Sequence, residues 1–256
     1  SLLASAFRGS IIAPHYVVSG GSTLILLYLE AVIGLLLIFN RAIPIAAILL
    51  FFLYTGAMLT LGILESLDYI NVMGIAIFIL LNNVSFDVVK QKLITYALPL
   101  LRVFTGGSLI ILALSEKLLQ PELAEAFLQV HNWNFMLAAG FYNYSDTFFI
   151  LTAGFIELTL GILFILGAIT RISAIVLASF MITSNIVFLI QGGYTEALIE
   201  IIGHLPIIAT AIILVLFGSG NRLKLPTNII IIKLVPTQQY INLSIQSIRS
   251  IISRLY

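Results

Sequence analysis

Long apolar runs separated by short polar breaks dominate the chain. The runs fall at about residues 22–39, 43–62, 69–83, 94–115, 147–168, 172–190 and 197–217. An α-helix needs roughly 20 apolar residues to cross a bilayer. In lipid the backbone must satisfy its own hydrogen bonds within the segment, so helix is the expected form. The pattern predicts an all-α, polytopic membrane protein with about seven transmembrane helices.

The breaks carry their own signals. Residues 1–21 contain Arg8, Pro14, His15, Gly20 and Gly21 and do not read as a clean span. In the long break 116–146, the stretch Pro121 to Val130 suits a short interfacial helix, with proline in its first turn and Glu122 and Glu125 near its start. Trp133, Phe135, Phe141, Tyr142 and Tyr144 read as an aromatic belt. Beyond residue 226, Ile241, Ile245, Ile248, Ile252 and Leu255 form one apolar stripe on a helix. That tail is expected on the inner membrane surface or docked on a partner subunit.

Basic residues set the orientation. By alternation, one face receives Arg41, Lys90, Lys92, Arg171, Arg222, Lys224 and Lys233, with Arg249 and Arg254 if the tail stays there. The other receives only Arg8 and Lys117, and it collects Glu65, Asp68, Glu116, Glu122, Glu125, Asp146 and Glu196. The expectation is a plasma-membrane protein with its C-terminus cytoplasmic and its acidic loops outside. Composition agrees: 61% of the 256 residues are hydrophobic, 9% are charged, and mean hydropathy is +1.15. A net charge of +1 gives no footprint for nucleic acid, and the absence of cysteine removes disulfides and thiolate chemistry.

Part of the pattern occurs twice. Glu30, Gly34 and Arg41 recur as Glu157, Gly161 and Arg171, and Gly62 to Leu67 recurs as Gly193 to Leu198. Ala4 to Phe7 resembles Ala124 to Phe127. The chain therefore divides into a degenerate first repeat of three spans (1–93), a second four-helix repeat (94–225) and an amphipathic tail (226–256). A helix preceding Ser1, or a partner helix in its place, is expected to complete the first repeat. In this scheme Glu30, Arg41 and Arg171 are structural charges.

Ionisable groups inside spans are costly and mark functional sites by default. Helix rise places Arg102 and Glu157 about 5 Å apart in depth, and an Arg102–Glu157 ion pair is the expectation. Glu200 and His204, four residues apart, share one helix face. With Lys117, Glu116, Glu122 and Glu196 these groups are expected to line a polar cleft opening outward. His15 and His131 read as surface residues. Only His204 lies in a span, so the facing histidines of a haem site are missing. No motif for a metal or a covalently bound cofactor is present.

At these residues the second repeat resembles the DoxX-like family, including its DoxD-type subunits. The resemblance rests on Leu101-Arg102 with Gly106-Gly107, Glu116-Lys117-Leu118, Glu157 with Gly161, Thr170-Arg171, the glutamate-bearing last span, and Gly218 with Gly220. It implies a four-helix membrane bundle in each repeat, here two parallel repeats with the first lacking its first helix. The DoxD type is similar to the membrane subunit of thiosulfate:quinone oxidoreductase, which works with a small DoxA-like partner beside a terminal quinol oxidase. The resemblance implies catalytic positions at Arg102, Lys117 and Glu157, and partners in the bilayer and among redox subunits. A quinone would find its proton-accepting groups in Glu157, Glu200 and His204. Two alternatives stand beside this: a non-catalytic accessory subunit of a quinol oxidase, and a small-solute transporter built of two repeats.

Overall fold

The structure is a computed structural model that describes residues 1–12, 17, 21–84, 87–131, 133–190 and 192–224. The amphipathic tail and His15 lie outside the described residues, as do the side chains of His131 and Glu196. Every regular element among the described residues is helical. In order these are α1 (Leu2–Arg8), α2 (Gly21–Ile38), α3 (Ile43–Leu61), α4 (Ile63–Leu67), α5 (Asn71–Asn82), α6 (Asp87–Leu93), α7 (Ala97–Leu112), α8 (Pro121–His131), α9 (Phe135–Ala138), α10 (Asp146–Leu166), α11 (Thr170–Ile190) and α12 (Tyr194–Phe217). A 3₁₀ turn joins α6 to α7, and a π-helical turn, Ala113–Leu118, extends α7.

Each predicted apolar run lies on a helix, and five helical stretches are long and apolar enough to cross a membrane. α2 and α5 are shorter. The predicted span 69–83 shrinks to α5 at its two ends: residues 69 and 70 belong to the turn after α4, and Asn83 caps the helix. Conversely, 94–115 is the middle of a continuous helical stretch, Lys90–Leu118.

Local chemistry explains several ends. Pro44 sits in the first turn of α3, where its missing N–H costs nothing. The Ser145 hydroxyl accepts from the Phe148 N–H to cap α10, and Asp146 follows in the first turn. Gly167, left-handed at φ +71°, closes α10.

Two apolar cores result. One joins α2, α3 and α5 around Ile33, Leu50, Leu53 and Val72, and receives Ile11 and Ile12. The other joins α7, α10, α11 and α12 around Leu109, Phe164, Leu177 and Leu214. α5 packs on both α3 and α7 and links them. At the crossing of α7 and α10 backbone meets backbone. A Cβ on Gly106 would lie 2.6 Å from the Gly161 carbonyl oxygen. Small residues permit such an approach, and in lipid close packing is a main source of helix association.

Near the start of the chain, α1 lies along α2. A Cβ on Gly34 would meet the Leu3 nitrogen at 3.3 Å, just as one on Gly161 would meet the Ile110 nitrogen at 3.2 Å. So Leu3 of α1 lies against Gly34 of α2 as Ile110 of α7 lies against Gly161 of α10. This departs from the sequence pairing of Ala4–Phe7 with Ala124–Phe127. The residues of α8 pack instead near Phe149 and Ile150, at the first turns of α10.

Candidate functional site

The register of α7 against α10 decides which charges meet. With Gly106 opposite Gly161, Glu157 lies level with about residue 110 and Arg102 with about residue 165, roughly 12 Å apart along the helices. The expected Arg102–Glu157 pair is therefore not formed. Depth counted from the end of its apolar run misplaced Arg102, because its helical stretch begins at Lys90, before the run does.

Glu157 pairs with Lys117 instead. The ammonium lies 3.0 Å from the Glu157 carboxylate and 3.8 Å from that of Glu116. Glu157 is 3% exposed, the Lys117 side chain 16% and the Glu116 side chain 47%. The three groups grade from buried to half-exposed. The π-helical turn carries both Glu116 and Lys117, and such turns concentrate at functional sites. Gly154 makes room, since a Cβ there would press on Lys117 and Leu118 at about 3.0 Å.

Asp68 completes this cluster from the turn between α4 and α5. Its carboxylate accepts from the Ser115 hydroxyl at 3.2 Å, and its carbonyl accepts from Ser108. Burial raises the Asp68 carboxyl to about 6, and repulsion from Glu116 and Glu65 adds to it, against the pull of Ser115 and Lys117. Ser108 and Ser115 are seven residues apart, hence on one helix face, a spacing that would have pointed to them beside Glu116.

Arg102 is fully buried at the opposite end of α7, against Gly167. Its Nη2 donates to the Leu223 carbonyl, while Nε and Nη1 have no hydrogen-bond partner among the described residues. It sits beside the carbonyl-rich C-terminus of α10, a favourable place for a cation. Arg171, exposed, donates to the Leu216 carbonyl at 3.4 Å in the last turn of α12. Arg222 lies over the Tyr96 ring at 5.9 Å. Arg41 is exposed at the turn before α3. Glu30 is fully buried, and its carboxylate oxygens accept the Ile12 backbone N–H at 3.1 and 3.2 Å.

Glu200 and His204 form a separate cluster on α12. His204 Nε2 lies 3.5 Å from Glu200, and its Nδ1 lies 3.3 Å from the Asn185 amide nitrogen on α11. Asn185, overlooked in the sequence, is a buried amide within an apolar span, itself a signal of function. Above it the expected aromatic belt is partly a packed cluster. Trp133 stacks on Phe188 at 5.7 Å and meets Phe127, Phe135 and Phe149 edge-on, while Phe141 and Tyr142 stay exposed. The Trp133 indole donates to the Ser184 carbonyl at 3.2 Å. Glu122 is exposed, and Glu125 accepts from Thr147, so neither joins a cleft with Glu157. No cluster of metal-ligating residues occurs among the described residues.

Fold and site together define a polytopic helical membrane protein with a lysine–glutamate pair held inside its bundle. Residues 97–190 match the DoxX family model. The match spans α7 to α11 and includes Arg102, Lys117, Glu157 and Asn185. No curated protein and no solved structure matches the chain.

Proposed function

We propose that this chain is the integral membrane subunit of a quinone-linked respiratory or sulfur-oxidising complex. The observation that carries the reading is the Lys117–Glu157 pair, buried in the DoxX domain and graded through Glu116 to the half-exposed acidic end. A chain of titratable groups running inward from a membrane face suits proton movement coupled to quinone chemistry. Glu157, Glu200 and His204 remain the groups proposed to exchange protons with a quinone. The acidic end is read as the outside of a plasma membrane, and the two halves as related repeats. Electron carriers would belong to a partner subunit, since this chain contributes no cysteine for an iron–sulfur cluster and few histidines.

Thiosulfate is the proposed electron donor by resemblance. Lys117, one of the two basic residues that alternation assigns to the acidic face with Arg8, is already engaged by two carboxylates. Oxidation of a dianion is therefore assigned to the partner, with this chain serving the quinone. The test is thiosulfate-dependent quinone reduction by the complex purified in mild detergent. Expected is activity that falls steeply in Lys117→Met and Glu157→Gln variants that still assemble. Undiminished activity in both would reject the assignment and favour an accessory subunit, for which co-purification with haem-bearing subunits is the sign.

A further inference from the structure

Between α11 and α12 a buried hydrogen-bond acceptor is left over. Asn185 Nδ2 donates to the Met181 carbonyl at 2.8 Å, which fixes the orientation of the amide. Its second hydrogen faces His204 Nδ1. That makes Nδ1 the acceptor and leaves the ring proton on Nε2, directed at Glu200. Asn185 Oδ1 is buried and has no partner among the described residues. One turn along α12, Pro206 has no N–H to give the Ile202 carbonyl, so that helix bond cannot form.

An apolar groove of about 200 Å³ lies along the same two helices, lined by Ile175, Ala178, Ser179 and Ile182 of α11 and by Ile212, Val215 and Leu216 of α12. Asn185 follows Ile182 by three residues, and His204 precedes Ile212 by eight, so both continue the stripes that line it. Ile182 and Asn185 are about 4.5 Å apart along the axis. A ligand with its apolar body in this groove would have its polar end within one helical turn of Asn185.

We infer that the cleft binds the reduced, hydroxyl-bearing form of a lipid-soluble quinone, with one hydroxyl donating to Asn185 Oδ1. The inference rests on the quinone-linked reading and adds a place and a redox preference to it. An oxidised quinone carries only carbonyl acceptors and cannot satisfy Oδ1, whereas a hydroquinone can.

The experiment is calorimetric titration of the full chain in lipid nanodiscs, under anaerobic conditions, with decyl-hydroquinone, its oxidised quinone and its dimethyl ether, empty nanodiscs being subtracted. Expected is hydroquinone binding about tenfold tighter than either of the others, the worth of one buried hydrogen bond. Asn185→Leu should abolish that preference, and Ala178→Phe, which fills the groove, should weaken all three ligands. Equal affinities in the unaltered protein, or a preference that survives in a folded Asn185→Leu variant, overturn the assignment. If Asn185→Leu does not fold, unchanged hydroquinone affinity in Ala178→Phe overturns it. Selective binding without turnover in the complex rejects the functional reading alone; turnover without selective binding rejects this site alone.

Discussion

At the scale of residues, the Lys117–Glu157 pair sets the strongest expectation. Lys117→Met leaves a carboxylate inside the bundle without its cation and should cost about 3–5 kcal/mol, read as a lower unfolding temperature in detergent. Combining it with Glu157→Leu should recover most of that loss. Arg102→Leu with Glu157→Leu should instead give the sum of the single effects within about 0.5 kcal/mol, because the two sites do not touch. Asp68 sets a pH dependence. Burial pushes its carboxyl up to about 6 in the fold, against about 3.9 in an unfolded chain, so the folded protein holds that proton more tightly. Stability from this group should fall as pH rises from about 4 through about 6, and Asp68→Asn should flatten that part of an unfolding-temperature profile. Glu65, Glu116 and Lys117 surround it and stay in place in the variant. The sequence made Glu157 legible as an important acid but not its partner. Hydropathy reports that a residue lies in a span; only helix register reports what stands opposite.

At the scale of elements, the α7–α10 crossing is the sensitive joint. Gly161→Ala would set a Cβ 2.7 Å from the Gly106 carbonyl oxygen and the same distance from the Ile110 side chain. Overpacking of that kind costs about 1–3 kcal/mol. The neighbouring Gly107→Ala meets nothing nearer than 3.9 Å and should be neutral or stabilising by about 0.5–1 kcal/mol. Unfolding both variants side by side checks the contrast. The helices were legible because apolar runs are long and their breaks are polar. The π-helical turn was not, since one extra residue in a turn leaves the composition of the run unchanged.

At the scale of the whole molecule, Arg102, Arg171, Arg222 and Lys224 gather where α7 begins and α12 ends, while Asp68, Glu116 and Lys117 gather at the far end of α7. The absence of cysteine makes orientation simple to measure, as any introduced thiol is unique. Glu122→Cys should react with an impermeant maleimide in intact cells, and Lys90→Cys only after permeabilisation. The reverse pattern would invert the proposed topology. The all-helical membrane fold was legible from hydropathy alone, and the DoxX domain from the spacing of Arg102, Glu116, Lys117 and Glu157. The arrangement of α1 was not. A seven-residue helix carries too few positions for a sequence match to place it against Gly34 of α2.

The short α5 has a consequence for the surrounding lipid. Twelve residues of helix rise roughly 18 Å, against a hydrocarbon layer of about 30 Å. Placed at the Asp68 end, that deficit would let headgroups and solvent approach the carboxylate or pinch the leaflet there. Hydrophobic mismatch of this kind makes the acidic cluster responsive to acyl-chain length, and thinner membranes should suit this protein best.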